Sequence, residues 1–268
     1  MKRAVCLVCA WLLPLAASAR ALPPPPDLAQ RAGFDQRLGA QVPMDLQFRG
    51  SDGRRVSLAT LVRGRPMLLA LGYYDCPNLC GAVLLGMAQS AAAMPLRPGR
   101  DYEAVFVSID PRDTPATAAR KQAAIARAVP DAHVGAWHFL TGDPAAVHAL
   151  AQAVGFRYFY DKRNDQFAHA AGVVVLSGKG RVAQYMFGVR YPPRSLRLAL
   201  VDASAGHLGS LVDQLVLLCC GYDPTTGRYS LLVGRVMQVF GVGFALLLAA
   251  MLGWLFRRGR RRRREVRA

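Results

Sequence analysis

Cys76 and Cys80 carry the chemistry most readable in this chain, in the stretch Leu68-Leu69-Ala70-Leu71-Gly72-Tyr73-Tyr74-Asp75-Cys76-Pro77-Asn78-Leu79-Cys80. An apolar strand runs out there and a helix begins, and α/β folds place their reactive groups at such strand ends. With Cys80 in the first helical turn, the i, i+4 spacing brings the two Cβ atoms within roughly 5–6 Å of each other. The two thiols can then close a disulfide or grip one soft metal ion. The partial positive charge of a helix N-terminus lowers a thiol pKa and favours the thiolate that either chemistry needs. A plain structural disulfide is the third reading, and it is the weakest, because so short a loop gains little entropy from closure.

The chain has six cysteines. Cys6 and Cys9 fall in an N-terminal signal and leave with it, so Cys76, Cys80, Cys219 and Cys220 remain. Two close pairs do not make the disulfide scaffold of a small secreted domain. The predicted domain, 33–206, is long enough to bury a core of its own.

The flanking segments set the compartment. Met1-Lys2-Arg3, an apolar run from Ala4 to Ala17 and the small residues Ala17-Ser18-Ala19 read as a secretory signal over 1–19,. Pro23 to Pro26 make 20–32 an extended spacer,. After a juxtamembrane segment, 207–232, which holds Cys219-Cys220, the sequence predicts a transmembrane helix over 233–256. Val236 to Phe256 contains a single polar side chain, Gln238, and is long enough to cross a hydrocarbon core of about 30 Å,. The tail, 257–268, has eight arginines and one glutamate, which places it in the cytoplasm by the positive-inside rule,. Signal and tail agree on a single-pass protein of the inner (cytoplasmic) membrane with its domain in the periplasm.

The formal charge of +17 does not imply nucleic-acid binding. The tail accounts for +7 and Lys2 with Arg3 for +2, leaving +8 on the exported part. Arginines abutting a membrane serve topology and anionic lipid.

Along the domain, Leu46 to Leu61 reads as a hairpin turning at Ser51-Asp52-Gly53. Met67 to Tyr74 and Tyr102 to Ile109 read as buried strands, and Ala82 to Ala93 as a helix. Thr114 to Val129 is a helix with Thr114 as N-cap and Pro115 in first position. Trp137 to Leu140 is a short strand, and Asp143 caps a helix from Pro144 to Val154. Gly172 to Leu176 and Arg181 to Phe187 form a hairpin across Ser177-Gly178-Lys179-Gly180, followed by a helix from Pro192 to Ala203. This order describes an α/β, thioredoxin-like fold, a central mixed sheet with helices on both faces.

The motif Cys76-Pro77-x-x-Cys80, the segment Ser108-Ile109-Asp110-Pro111-Arg112-Asp113-Thr114-Pro115 and His169 before the Gly172 strand together resemble the Sco, or SenC-type, copper chaperones of cytochrome oxidase assembly. The resemblance runs over roughly 40–205. It implies a membrane-anchored thioredoxin-like domain that binds copper, as Cu(I) or Cu(II), through Cys76, Cys80 and His169. It further implies that the protein is a metallochaperone, with cytochrome c oxidase subunit II or another exported cuproprotein as partner. Three features depart from the family's commoner pattern: Gly81 stands where a proline often follows the second cysteine, the anchor is C-terminal, and Cys219-Cys220 opens a tail, Gly221 to Tyr229, found in a C-terminally anchored subset.

The histidine also has a physical argument. A thioredoxin-type oxidoreductase presents a proline opposite its cysteines, whereas Ala168-His169-Ala170-Ala171-Gly172 has none. A histidine in that loop would complete a soft S₂N set suited to copper. His133, His138 and His148 read as surface or packing residues, Asp110 and Asp113 as a turn and a helix cap, and Tyr73, Tyr74, Phe156, Tyr158, Phe159 and Tyr160 as core or lining. A thiol-disulfide reductase acting through Cys76 and Cys80 on subunit II or another exported protein is the alternative function. A redox or copper sensor ranks below both, and a peroxidase last, since Tyr73-Tyr74-Asp75 offers neither the threonine nor the arginine a peroxidatic cysteine uses.

Overall fold

The computed structural model describes residues 30–76 and 80–206, the strand residues 222–223 and 228–229, and helical positions at 241, 243, 244, 248, 251 and 254. The signal, the Cys219-Cys220 pair and most of 233–256 lie outside the described residues. Among those described, no helix is long and apolar enough to cross a membrane.

Two strands, β4 (Met67–Gly72) and β5 (Glu103–Ser108), are buried along their whole length and pair in parallel. Unbroken apolar runs of this kind belong in the middle of a sheet covered on both faces. β6 (His138–Thr141) extends the parallel pair beyond β5, and β9 (Gly172–Leu176) and β10 (Val182–Phe187) add antiparallel strands beyond β4. On the other side β2 (Gln47–Gly50) and β3 (Arg55–Ser57) close the edge, giving the order β10-β9-β4-β5-β6-β2-β3.

The alternation of side chains along each strand divides the core. Leu68, Ala70, Ala104, Phe106, Val173 and Val175 face one way, against α2 (Cys80–Ala92), α3 (Pro115–Ala128) and α5 (Pro193–Ser204). Met67, Leu69, Val105, Val107 and Val174 face the other, against α1 (Leu58–Val62) and α4 (Pro144–Ala153). On that second face also lies a separate antiparallel sheet, β1 (Gly33–Phe34), β7 (Phe156–Asp161) and β8 (Gln166–His169), in the order β1-β7-β8. A two-stranded ladder, β11 (Tyr222–Asp223) with β12 (Arg228–Tyr229), follows in the chain.

The helix from Thr114 is as the sequence predicts, with the Thr114 side chain accepting from the Thr117 N–H and Pro115 in first position. Four expectations are corrected. The hairpin from Leu46 ends at Ser57, because Ser57 and Thr60 form a reciprocal cap that starts α1 at Leu58,. Asp143 stands at the N-cap of α4 with no side-chain capping bond. β7 and β8 occupy a stretch in which no strand was expected. His169 closes β8 instead of lying in a loop.

One buried charge cluster escaped the sequence. Glu103, 2% exposed, accepts from Arg65 Nε at 2.9 Å and lies 2.9 Å from His138 Nε2. Burial alone would raise this carboxyl, but hydrogen bonds from His138 and Arg65 outweigh it and hold the group below its ordinary value. A depressed carboxylate stabilises the fold above its unfolded pKa, near 4.5, and loses that contribution as pH falls through the lower folded value,. Glu103→Gln is therefore expected to cost about 2 kcal/mol at pH 7. The gap from wild type should narrow as pH falls below 4.5 and through the lower folded value, as read by urea unfolding at neutral and acid pH; a gap that does not depend on pH would contradict the assignment,.

Candidate metal centre

The site is built at the C-terminal end of β4. Past Gly72 the chain stays inside, with Tyr73 4% and Tyr74 0% exposed. The Tyr74 hydroxyl donates to Leu140 O at 2.8 Å, and its ring packs on Phe106 and Phe139 at 5.4 and 6.1 Å. Burial, aided by Asp113, raises the Tyr74 phenol well above its ordinary value, so it serves as a neutral post. The Tyr74 N–H donates to Asp113 Oδ2 at 2.8 Å, and the Ile109 N–H to Gly72 O at 2.7 Å. These bonds fix the strand end before the chain reaches Asp75 and Cys76.

Cys76 is half-buried and packs against the core cluster that contains Tyr73 and Phe156. His169 lies against these two rings of the cluster, with centroid separations of 6.0 Å to Tyr73 and 5.7 Å to Phe156. Cys76 and His169, from distant parts of the chain, thus both pack against one core cluster on this face of the sheet. Cys80 opens α2, while its side chain and residues 77–79 lie outside the described residues. Among the described residues no group of three or more His, Cys, Asp or Glu side chains could hold a metal. The second sulfur required for an S₂N set is not among them.

The orientation of the imidazole suits ligation. His169 Nδ1 lies 2.9 Å from Ala170 O. A carbonyl only accepts, so Nδ1 carries a proton at this contact, as in a metal-ligating histidine whose other nitrogen is held by backbone.

Beside Cys76 opens a cleft of about 430 Å³, lined by Tyr73, Asp75, Asp110, Arg112, Asp113 and Asp165 among others. Asp110 and Asp113 form the expected turn, the Asp113 N–H donating to Asp110 O at 3.1 Å, and their carboxylates reach further. Asp113 Oδ2 accepts from the Tyr74 N–H and from Ser108 Oγ, and its Oδ1 from Thr117 Oγ1. Asp110 is bound by Arg112 through Nε and Nη2 at 2.8–3.0 Å. Sequence reasoning missed Arg112 and Asp165; the Asp110-x-Arg112 spacing was the available signal, and it reads equally well as a turn. His138 belongs to the Glu103 cluster, and His133 sits at a left-handed turn, φ 51°. Both are remote from Cys76 in role. His207 lies outside the described residues.

The SCO1/SenC family model matches residues 35–200. The chain belongs to the SCO1/SenC family. Solved structures agree on the fold. A candidate electron transfer protein from Aquifex aeolicus VF5 is 25% identical, with TM-score 0.57 over 64% of this chain and 96% of that one. Arabidopsis thaliana ScoI, solved with copper bound, is 21% identical with TM-score 0.50, over 64% of this chain and all of that one. A SCO1/SenC family lipoprotein from Bacillus anthracis str. Ames is 17% identical, with TM-score 0.50 over 65% and 98%. Comparison with curated proteins gives no match. The SCO1/SenC match covers the strand end with Cys76, the 108–113 loop and β8 with His169, so all the parts of the candidate centre fall within the family's domain.

Proposed function

We propose that this SCO1/SenC protein is a membrane-anchored copper carrier that faces the periplasm and supplies the binuclear copper centre of cytochrome c oxidase subunit II. The observation that carries the reading is His169, with Nδ1 held at Ala170 O, packed on Tyr73 and Phe156 of the core cluster against which Cys76 also packs. Two thiolates and one imidazole, from Cys76, Cys80 and His169, form a donor set copper accepts in both oxidation states. The carboxylates of the neighbouring cleft are hard donors and suit Cu(I) poorly. The copper-bound Arabidopsis relative supports the same cargo.

The protein's own residues do the holding and releasing. Cys76 and Cys80 grip Cu(I) as thiolates, and oxidation of the pair to a disulfide would close the site to metal. His169 supplies the nitrogen that Cu(II), with its higher coordination number, needs more than Cu(I) does.

Cells lacking the protein should recover oxidase activity when copper in the medium is raised, because mass action can fill the oxidase without a carrier. A gene carrying His169→Ala should fail to complement at low copper. Full complementation by His169→Ala, with Cys76→Ser inactive and rescue by a thiol reductant, would favour the thiol-disulfide reductase instead. The orientation rests on the signal at 1–19 and the arginines of 257–268,. A reporter fused after Ala268 should be active only in the cytoplasm, and periplasmic activity would refute that topology.

A further inference from the structure

We propose that Arg112 is a positioning residue for the metal centre: the 108–113 loop fastens the strand end leading to Cys76 on one side and the hairpin carrying His169 on the other. This rests on the copper reading of the site.

The β1-β7-β8 sheet shares no backbone ladder with the seven-stranded sheet. Its place is set by side chains, by the link Val154-Gly155 from α4 into β7, and by the two-residue link, Ala170-Ala171, from β8 into β9. That link tethers the His169 end of the hairpin but leaves its tilt open. A tilt is best opposed at the far end, and Arg112 acts there. Its bidentate grip on Asp110 orients the guanidinium, and the remaining arm, Nη1, donates to Asp165 Oδ1 at 2.8 Å. Tyr160 donates its hydroxyl to the same oxygen, and the guanidinium lies 5.8 Å from the Tyr160 ring.

Asp165 immediately precedes β8 and holds a left-handed φ of 50°. From there β8 runs to His169 as a stiff strand of about 13 Å. The other half of the loop is already described: Asp113 holds the Tyr74 N–H and Ile109 holds Gly72 O. One short segment thus sets the separation between the cysteine loop and the histidine. Arg112 and Asp165 are 54% and 72% exposed, so an isolated pair would contribute little,. A forked contact within a network of Asp110, Arg112, Asp165 and Tyr160 is the geometry in which such pairs do matter.

The test uses the full chain in detergent and four proteins: wild type, Arg112→Ala, Asp165→Ala and the double variant. Asp165→Ala leaves the Arg112–Asp110 grip intact, so it separates the latch from the folding of the loop. Each single variant should weaken Cu(II) binding about three- to tenfold, in the lower range of outer-sphere effects, and alter the nitrogen coupling in the Cu(II) electron paramagnetic resonance spectrum. Cu(I) affinity should move less than about twofold, since the two thiolates carry it. The double variant should be no weaker than either single one. In the metal-free protein, amides of β8 should exchange faster in every variant. Unchanged Cu(II) affinity, additive losses, or an equal loss of Cu(I) would each overturn the proposal. A wild-type chain that binds no copper overturns the copper reading itself, and the clamp then stands or falls on β8 exchange, unchanged rates overturning it.

Discussion

Cys76→Ser is expected to take the reduced full chain from one bound copper per molecule to none, measured by metal analysis after desalting. The hydroxyl that replaces the thiolate is a hard, protonated group, and one thiolate with one imidazole leaves too few soft donors for Cu(I). The fold should survive the change. Cys76 is half-buried and differs from serine by one atom, so the unfolding free energy should change by only about 1 kcal/mol,. Loss of metal with the fold retained separates ligation from structure. Unchanged copper stoichiometry in Cys76→Ser would remove this residue from the site and with it the proposed carrier function.

The second large effect concerns stability. Glycine to alanine inside a helix ordinarily stabilises by up to about 1 kcal/mol. Gly86, in the middle of α2, should reverse that sign. A Cβ there would lie 1.9 Å from Val189 O and 3.0 Å from its carbonyl carbon, atoms of backbone that cannot swing aside. The contact is where α2 meets the segment leading into α5, and Ser90, one turn on, donates to Gly86 O and to Tyr191 O at the same crossing. Gly86→Ala should therefore destabilise by about 3 kcal/mol or more, as overpacking against fixed backbone does. Gly81→Ala, near the start of the same helix with nothing within 4 Å of the added carbon, should be neutral or slightly stabilising. Equal behaviour of the two variants in urea unfolding would show that the close approach at Gly86 relaxes freely.

The main sheet was legible because its strands are nearly pure in type. Val173-Val174-Val175-Leu176 and Ala104-Val105-Phe106-Val107 can only be buried strands in a domain of this size, and Thr114-Pro115 announces a helix start by two independent preferences,. The second sheet was not legible. Phe156-Arg157-Tyr158-Phe159-Tyr160-Asp161 and Gln166-Phe167-Ala168-His169 mix aromatic, charged and amide residues, and most of these are only partly buried. Period-two alternation is blurred when a strand packs partly on a wall of rings and partly against solvent. Leu58 to Val62 misled for a different reason. Its residues suit either state, and the decision lies in Ser57, whose side chain offers the backbone a cap. The candidate ligands were legible by type and by resemblance, but not their supports. Nothing in the spelling Asp110-Pro111-Arg112-Asp113 says that one aspartate reaches Tyr74 and that the arginine reaches Asp165, because both contacts join segments far apart in sequence.

That separation has a consequence for the order of events in folding. β4 and β9, the strands that bring the cysteine loop and the end of β8 into register, pair Met67 with Leu176 and Leu69 with Val174, contacts that close most of the domain into one loop. Pairings of such high contact order form late, because the entropy of closing the loop is lost before the ladder compensates for it. A folding chain would hold its two cysteines close early and acquire its imidazole last. Cu(II) capture in vitro should therefore follow the final refolding phase, making the metal a reporter of the completed fold.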